Sequence, residues 1–107
     1  VDLIENQGLE VLCRNFRRKT GEIDIIALDG EHLVFIEVRS RSNRRFASAI
    51  ASVDRSKQQR ILRTAQLFLQ YNAQWARRPC RFDVIGFEPA QQQKKPSPTW
   101  IRGAFTG

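Results

Sequence analysis

Residues 20–41, TGEIDIIALDGEHLVFIEVRSR, read as two apolar strands hinged at Asp29-Gly30. An Asp-Gly pair between apolar runs is the strongest short-range hairpin signal a sequence offers. The stretch carries Glu22, Asp24, Asp29, Glu31 and Glu37, five of the chain's eleven carboxylates, and has no Lys or Arg from Thr20 to Val38. Arg14, Arg17, Arg18 and Lys19 stand just before it, and Arg39, Arg41, Arg44 and Arg45 at its end or beyond. An acidic hairpin in a basic frame is a place for a divalent cation and a polyanion to meet.

Register decides whether the acids converge. With Asp29-Gly30 as a two-residue loop, the spacing predicts Leu28 opposite Glu31, Ile26 opposite Leu33, Asp24 opposite Phe35 and Glu22 opposite Glu37. Side chains alternate along a strand, so Glu22, Asp24, Ile26, Leu33, Phe35, Glu37 and Arg39 share one face. Asp24 and Glu37 then lie diagonally, about 7 Å apart at the backbone. His32 falls on the opposite face and is given no catalytic role. A three-residue loop would turn Glu37 to the other face and dissolve the group.

The remaining chain reads as support. Val1–Gln7 looks like the end of a helix stopped by Gly8. Gly8–Arg18 looks like a half-buried strand with Leu9, Val11, Cys13 and Asn15 on one side, a helix being the rival reading. Ser40–Val53 reads as a basic loop, then a lid or short turn. Asp54–Trp75 is the best helix, with Asp54 as N-cap and a stripe of Ile61, Leu62, Ala65, Phe68 and Leu69. Gln58 extends that stripe by one turn. Arg55, Lys57, Arg60 and Arg63 are placed on its flanks or far side. Arg81–Phe87 reads as a strand with Phe82, Val84 and either Ile85 or Phe87 buried. Glu88–Pro98 reads as a mobile surface loop, and Thr99–Ile101 as a short edge strand with Ala104 and Phe105 docking behind it. The expected fold is a single α/β domain over residues 1–107, in the order α-β-β-β-α-β, with a central mixed sheet of about four or five strands.

Composition narrows the function. A net charge of +7 in 107 residues, with pI near 10.4, points to a polyanionic partner. Two cysteines without a CxxC and a single histidine argue against a zinc site or a disulfide framework. Free buried thiols in a reducing cytoplasm are expected, with a pairing between strands left open. No apolar run has the length of a membrane span, no signal peptide is seen, and the absence of Met indicates that Val1 need not be the natural start.

Two carboxylates on neighbouring strands with a cation two residues beyond the second would hold Mg²⁺ or Mn²⁺ and place positive charge on a phosphate. Asp24, then Glu37-Val38-Arg39, then Gln58 on the following helix resembles the PD-(D/E)xK superfamily, which has the restriction-endonuclease-like fold. More closely, Gly8, Asn15, GEIDIIA from Gly21, VFIEVRSR from Val34, Lys57-Gln58, RFDVIGF from Arg81 and Ala104-Phe105 look like the YraN family of small bacterial proteins, which are predicted to be nuclease-like.

The resemblance implies Asp24 and Glu37 as metal ligands with the Val38 carbonyl, and Glu22 as an additional or supporting ligand. It implies catalytic roles for Asp24, Glu37, Arg39 and Gln58. Arg17, Arg18, Lys19, Arg41, Arg44, Arg45 and Lys57 would bind the nucleic acid, DNA being the expected partner. The superfamily's usual third residue is Lys, and here it is Arg39, which cannot act as a base. The Glu that the family often carries on its first helix would lie before Val1. The expected activity is phosphodiester hydrolysis by a cytoplasmic, metal-dependent endonuclease. The alternatives are a non-cutting nucleic-acid-binding module and a protein-interaction domain. The sequence also admits a homodimer.

Overall fold

A computed structural model describes residues 2–40, 53–87 and 98–106. The elements are α1 (Asp2–Asn6), β1 (Glu10–Arg18), β2 (Gly21–Asp29), β3 (His32–Ser40), α2 (Arg55–Tyr71), β4 (Cys80–Phe87) and β5 (Pro98–Phe105), with a 3₁₀ turn at Ala73–Trp75. The strands form one mixed sheet in sequence order. Neighbours are antiparallel except β3 and β4, which run parallel because α2 carries the chain back across the sheet. The α/β order read from the sequence holds, with five strands among the described residues. Arg41, Arg44, Arg45 and nearly all of the basic loop lie outside the described residues, as does most of the Gln- and Pro-rich loop. No helix among the described residues is long and apolar enough to cross a membrane.

The middle of the sheet is apolar on both sides because both sides are covered. Leu33, Val34, Phe35 and Ile36 of β3 are all buried, as is β4 from Phe82 to Gly86. This exceeds the alternating burial expected for Arg81–Phe87. Under α2, Ile61, Ala65 and Phe68 pack on Phe16, Ile26, Phe35 and Phe82. Phe68 meets Phe16 and Phe35 edge-on at 5.3 and 6.1 Å, and Phe35 stacks on Phe82 at 5.2 Å. On the other face Ile4 of α1 packs with Leu9, Ile25, Ala27, Val34, Ile36 and Ile85. Gly8, at φ +87°, ends α1 as expected, its N–H donating to the Glu5 carbonyl at 2.9 Å. Asp54 caps α2, accepting from the Lys57 N–H at 2.9 Å.

The hairpin register differs from the expected one. Asp29 pairs with His32, Leu28 with Leu33 and Ile26 with Phe35, so the two-residue loop is Gly30-Glu31. Gly30 has φ +60°, which the first loop position of a type II′ turn requires. Asp29 stays in the strand, held by Arg81 at 3.0 Å. The slip is two residues, an even number, so alternation is preserved. Asp24 and Glu37 keep their common side and move from diagonal to opposite.

β1 departs further from simple alternation. A bulge between Val11 and Cys13 leaves Val11 on the α1 side, whereas Leu12, Cys13 and Phe16 pack under α2. Asn15 is exposed at φ +52° rather than facing the core with Cys13. The thiols are free, but Cys13 is half-buried and Cys80 exposed, contrary to the expectation of buried cysteines.

β5 is longer than the expected Thr99–Ile101 because Asp83 anchors it. This carboxylate, 1% exposed, accepts from Arg81 Nε at 2.9 Å and from Arg81 Nη2 at 3.1 Å. It also accepts from Trp100 Nε1 at 2.9 Å and the Gly103 N–H at 3.0 Å. The last bond lies where the β4–β5 register jumps between Phe82 and Val84, replacing a backbone partner. Asp83→Ala should therefore destabilise the fold by about 3–5 kcal/mol, since it strands buried donors. Urea unfolding with hydrogen exchange over Thr99–Phe105 measures it, and exchange in β5 should rise first.

Candidate functional site

The β2–β3 ladder ends at Ile25↔Ile36, while β3 continues pairing with β4 through Glu37, Val38 and Arg39. Beyond that point Asp24 satisfies β3 with its side chain, Oδ2 accepting from the Val38 N–H at 2.7 Å. The parting of β2 from β3 opens a cleft of about 220 Å³. Its hairpin wall is Gly21, Glu22, Asp24, Glu37, Val38 and Arg39, and its helix wall is Lys57, Arg60 and Ile61.

The entrance is fixed by close packing of the hairpin on α2. Thr20 Oγ lies 2.7 Å from Thr64 Oγ, and Thr64 Oγ donates to the Arg60 carbonyl at 2.8 Å. Gly21, at φ +150°, lies where a Cβ would sit 3.4 Å from Thr64 Oγ and 3.5 Å from Arg60 Cβ. This contact brings Lys57 and Arg60 over the acids.

The two central carboxyls share an unusual environment. Glu37 is 7% exposed. Burial pushes its carboxyl up to about 8, and a hydrogen bond with Asp24 and the repulsion of that neighbouring charge add to the rise. Lys57 and Arg39 oppose it, which places both cations within electrostatic reach of Glu37. Burial and the neighbouring acid thus favour the neutral form of Glu37, and a bound cation would compete with that proton.

The other candidates are distributed around this pair. Glu22 lines the cleft, but its Oε2 is ion-paired with Arg17 Nε. Among the described residues no group of three or more His, Cys, Asp or Glu side chains is placed to hold a metal. Gln58 does not line the cleft. Its Nε2 donates to the Val53 carbonyl at 3.1 Å and fastens the start of α2. Arg18 lies over the Phe16 ring at 4.3 Å, and Lys19 is exposed beside it, so the β1–β2 corner is basic as expected.

Arg60 is the functional candidate that sequence reasoning missed, and Lys57 was read as a nucleic-acid contact rather than a wall of the site. The signal was present. Lys57, Arg60, Ile61 and Thr64 are spaced i, i+3, i+4, i+7, one helical face. This face is offset from the apolar stripe, with which it shares only Ile61.

The chain matches the family described as "Uncharacterised protein family UPF0102" over residues 1–87. It is 45% identical to a UPF0102 protein of Pseudomonas aeruginosa strain LESB58 over 102 residues, 95% of this chain and 82% of that relative. Against a UPF0102 protein of Pseudomonas paraeruginosa strain PA7 it is 46% identical over 99 residues, 92% of this chain and 79% of the relative. The corresponding match in Pseudomonas putida strain KT2440 is 41% over 105 residues, 98% and 84%.

Proposed function

The chain belongs to UPF0102, the YraN family, and from its cleft we propose that it is a divalent-metal-dependent nuclease acting on the phosphodiester backbone of DNA. The observation that carries this reading is the Asp24–Glu37 pair, half-buried and buried, facing Lys57 and Arg60 across a 220 Å³ cleft. Two carboxylates with room beside them suit Mg²⁺ or Mn²⁺. Mg²⁺ is usually bound through one or two carboxylates, water and substrate phosphate rather than by a closed protein cage. Asp24 and Glu37 would hold the ion, with the Val38 carbonyl as a third oxygen. When bound, it would supply Lewis-acid stabilisation of the phosphate and an activated water.

The protein's own groups divide the rest of the work. Asp24 fixes Val38 through its 2.7 Å bond and so orients the strand that presents Glu37. Lys57 and Arg60, on the helix wall, meet the non-bridging oxygens of the phosphate held over the acids. Arg39 contributes permanent positive charge to the same wall as Glu37 and clamps rather than takes a proton. Lys57 thus supplies from the helix the ammonium that related nucleases carry at the Arg39 position. Glu22 acts as a supporting acid that holds Arg17 at the basic corner.

A second reading, a nucleic-acid-binding module that does not cut, is favoured by the Arg at position 39. Incubation with linear, nicked, flapped and four-way DNA in Mg²⁺ or Mn²⁺ separates the two. Metal-dependent cleavage of any of these supports the nuclease. Tight, salt-sensitive binding without cleavage supports the module. Neither cleavage nor binding overturns both.

A further inference from the structure

Asp24 has a second open side. The β1–β2 register runs from Arg14↔Ile25 to Phe16↔Ile23 and skips the rung between Asn15 and Asp24. Asn15 occupies that point in the left-handed region, at φ +52°, which Asn tolerates better than most residues. The β2–β3 ladder stops at Ile25↔Ile36, next to the same residue. β2 has no ladder partner on either side at Asp24, and a concavity opens there on each face of the sheet. One is the cleft described above. The other, about 310 Å³, is lined by Arg14, Asn15, Asp24, Ile25 and Val38. The two cavities share Asp24 and Val38.

The chemistry of this second cavity differs from that of the first. Ile25 and Val38 make an apolar floor, and a guanidinium and an amide stand at its rim. Arg14 and Asn15 are both exposed, and among the described residues neither side chain has a hydrogen-bond or ion-pair partner. A nucleotide has matching parts: a phosphate for the guanidinium, polar sugar or base atoms for the amide, and an apolar sugar or base face for the floor.

We infer that this second cavity is the subsite for the nucleotide next to the scissile phosphate, with Arg14 on its phosphate and Asn15 on its sugar or base edge. The inference rests on the nuclease reading of the first cleft. A strand crossing the fork at Asp24 is then held on both faces of the sheet, by Lys57 and Arg60 on the α2 face and by Arg14 and Asn15 on the other. The phosphate contact adds affinity without base preference, and the amide, which both donates and accepts, can read a base edge.

The test is fluorescence anisotropy of a labelled single-stranded oligonucleotide, with Ca²⁺ replacing Mg²⁺ to prevent turnover, across a range of salt. Arg14→Ala should weaken binding several-fold and lower the slope of log K against log salt by about 0.7, the loss of one phosphate contact. Asn15→Gly keeps the left-handed backbone and removes only the amide, so it should weaken binding with the slope unchanged. Arg77→Ala, exposed beyond α2, should match the parent. If Lys57→Ala weakens binding while Arg14→Ala and Asn15→Gly both bind as the parent does, the subsite is wrong and the nuclease reading survives. If the parent protein binds neither this oligonucleotide nor a nicked or four-way DNA, the nuclease reading fails and the subsite with it.

Discussion

Asp24→Asn should fold at least as well as the parent and lose metal-dependent cleavage by on the order of 10³-fold, the scale of several kcal/mol of lost Lewis-acid stabilisation. The two effects have opposite signs because Asp24 does two things. Its Oδ2 accepts the Val38 N–H at 2.7 Å, and the carbonyl oxygen of Asn can accept the same bond. Its negative charge faces a buried Glu37 and raises that carboxyl. An amide removes the repulsion and keeps the fastening, so the melting temperature without metal should hold or rise. It also removes a charge proposed to hold the metal, so metal-dependent cleavage should collapse. Asp24→Ala, by contrast, abandons the Val38 N–H and should lower stability as well. Thermal melts paired with cleavage rates decide this. If Asp24→Asn lost stability and activity together, Asp24 would be a structural residue only.

Without divalent metal, the protein should become less stable as pH rises from about 5 to about 8. Glu37 has an ordinary value of 4.5 and is raised to about 8 in the fold. Between those values the native state keeps a proton that the unfolded chain has released, so the unfolded state binds fewer protons and stability falls with rising pH. The contribution is fully present below 4.5 and gone above 8. Glu37→Gln mimics the protonated form at every pH and should flatten this part of the curve. Adding Mn²⁺ at pH 8 should recover stability in the parent, since a ligand that binds only the native state stabilises it, and should do nothing for Glu37→Gln. Melting temperatures in steps from pH 5 to 9 give the answer. A parent curve as flat as the Gln variant's would mean Glu37 is not held in the raised state.

The fold was legible where one residue pattern dictated one outcome. The Asp54 cap, the Ile61–Ala65–Phe68 stripe and the β-rich hairpin each carry local signals that tertiary packing did not override. The hairpin loop was misplaced by one residue because Asp29 and Gly30 both fit a turn. Gly30, at φ +60°, takes the first loop position, and Asp29 stays in the strand in an ion pair with Arg81, a long-range contact absent from the local pattern. The common side of Asp24 and Glu37 survived because the resulting slip was even. β5 was under-read for a similar reason: its length depends on the Asp83 carboxylate, a contact made across strands with Trp100 and Gly103.

The candidate site was legible as residues but not as walls. Asp24, Glu37 and Arg39 emerge from alternation alone. Lys57 and Arg60 join them only because Thr20 and Gly21 pack tightly against Thr64 and Arg60, which sets the helix over the hairpin. Gln58, adjacent in sequence to Lys57, points its amide at the Val53 carbonyl instead. The second cavity depends on a skipped rung at Asn15, and a left-handed residue within a strand leaves no periodic trace in sequence.

Calorimetric titration of Mn²⁺ into the purified full chain at pH 8, with and without the double substitution Asp24→Asn, Glu37→Gln, bears most directly on the Asp24–Glu37 site. Saturable uptake by the parent, absent in the double variant while its melting temperature is retained, is the expected result. Equal uptake by both proteins, or none by the parent, would contradict a metal site at Asp24 and Glu37.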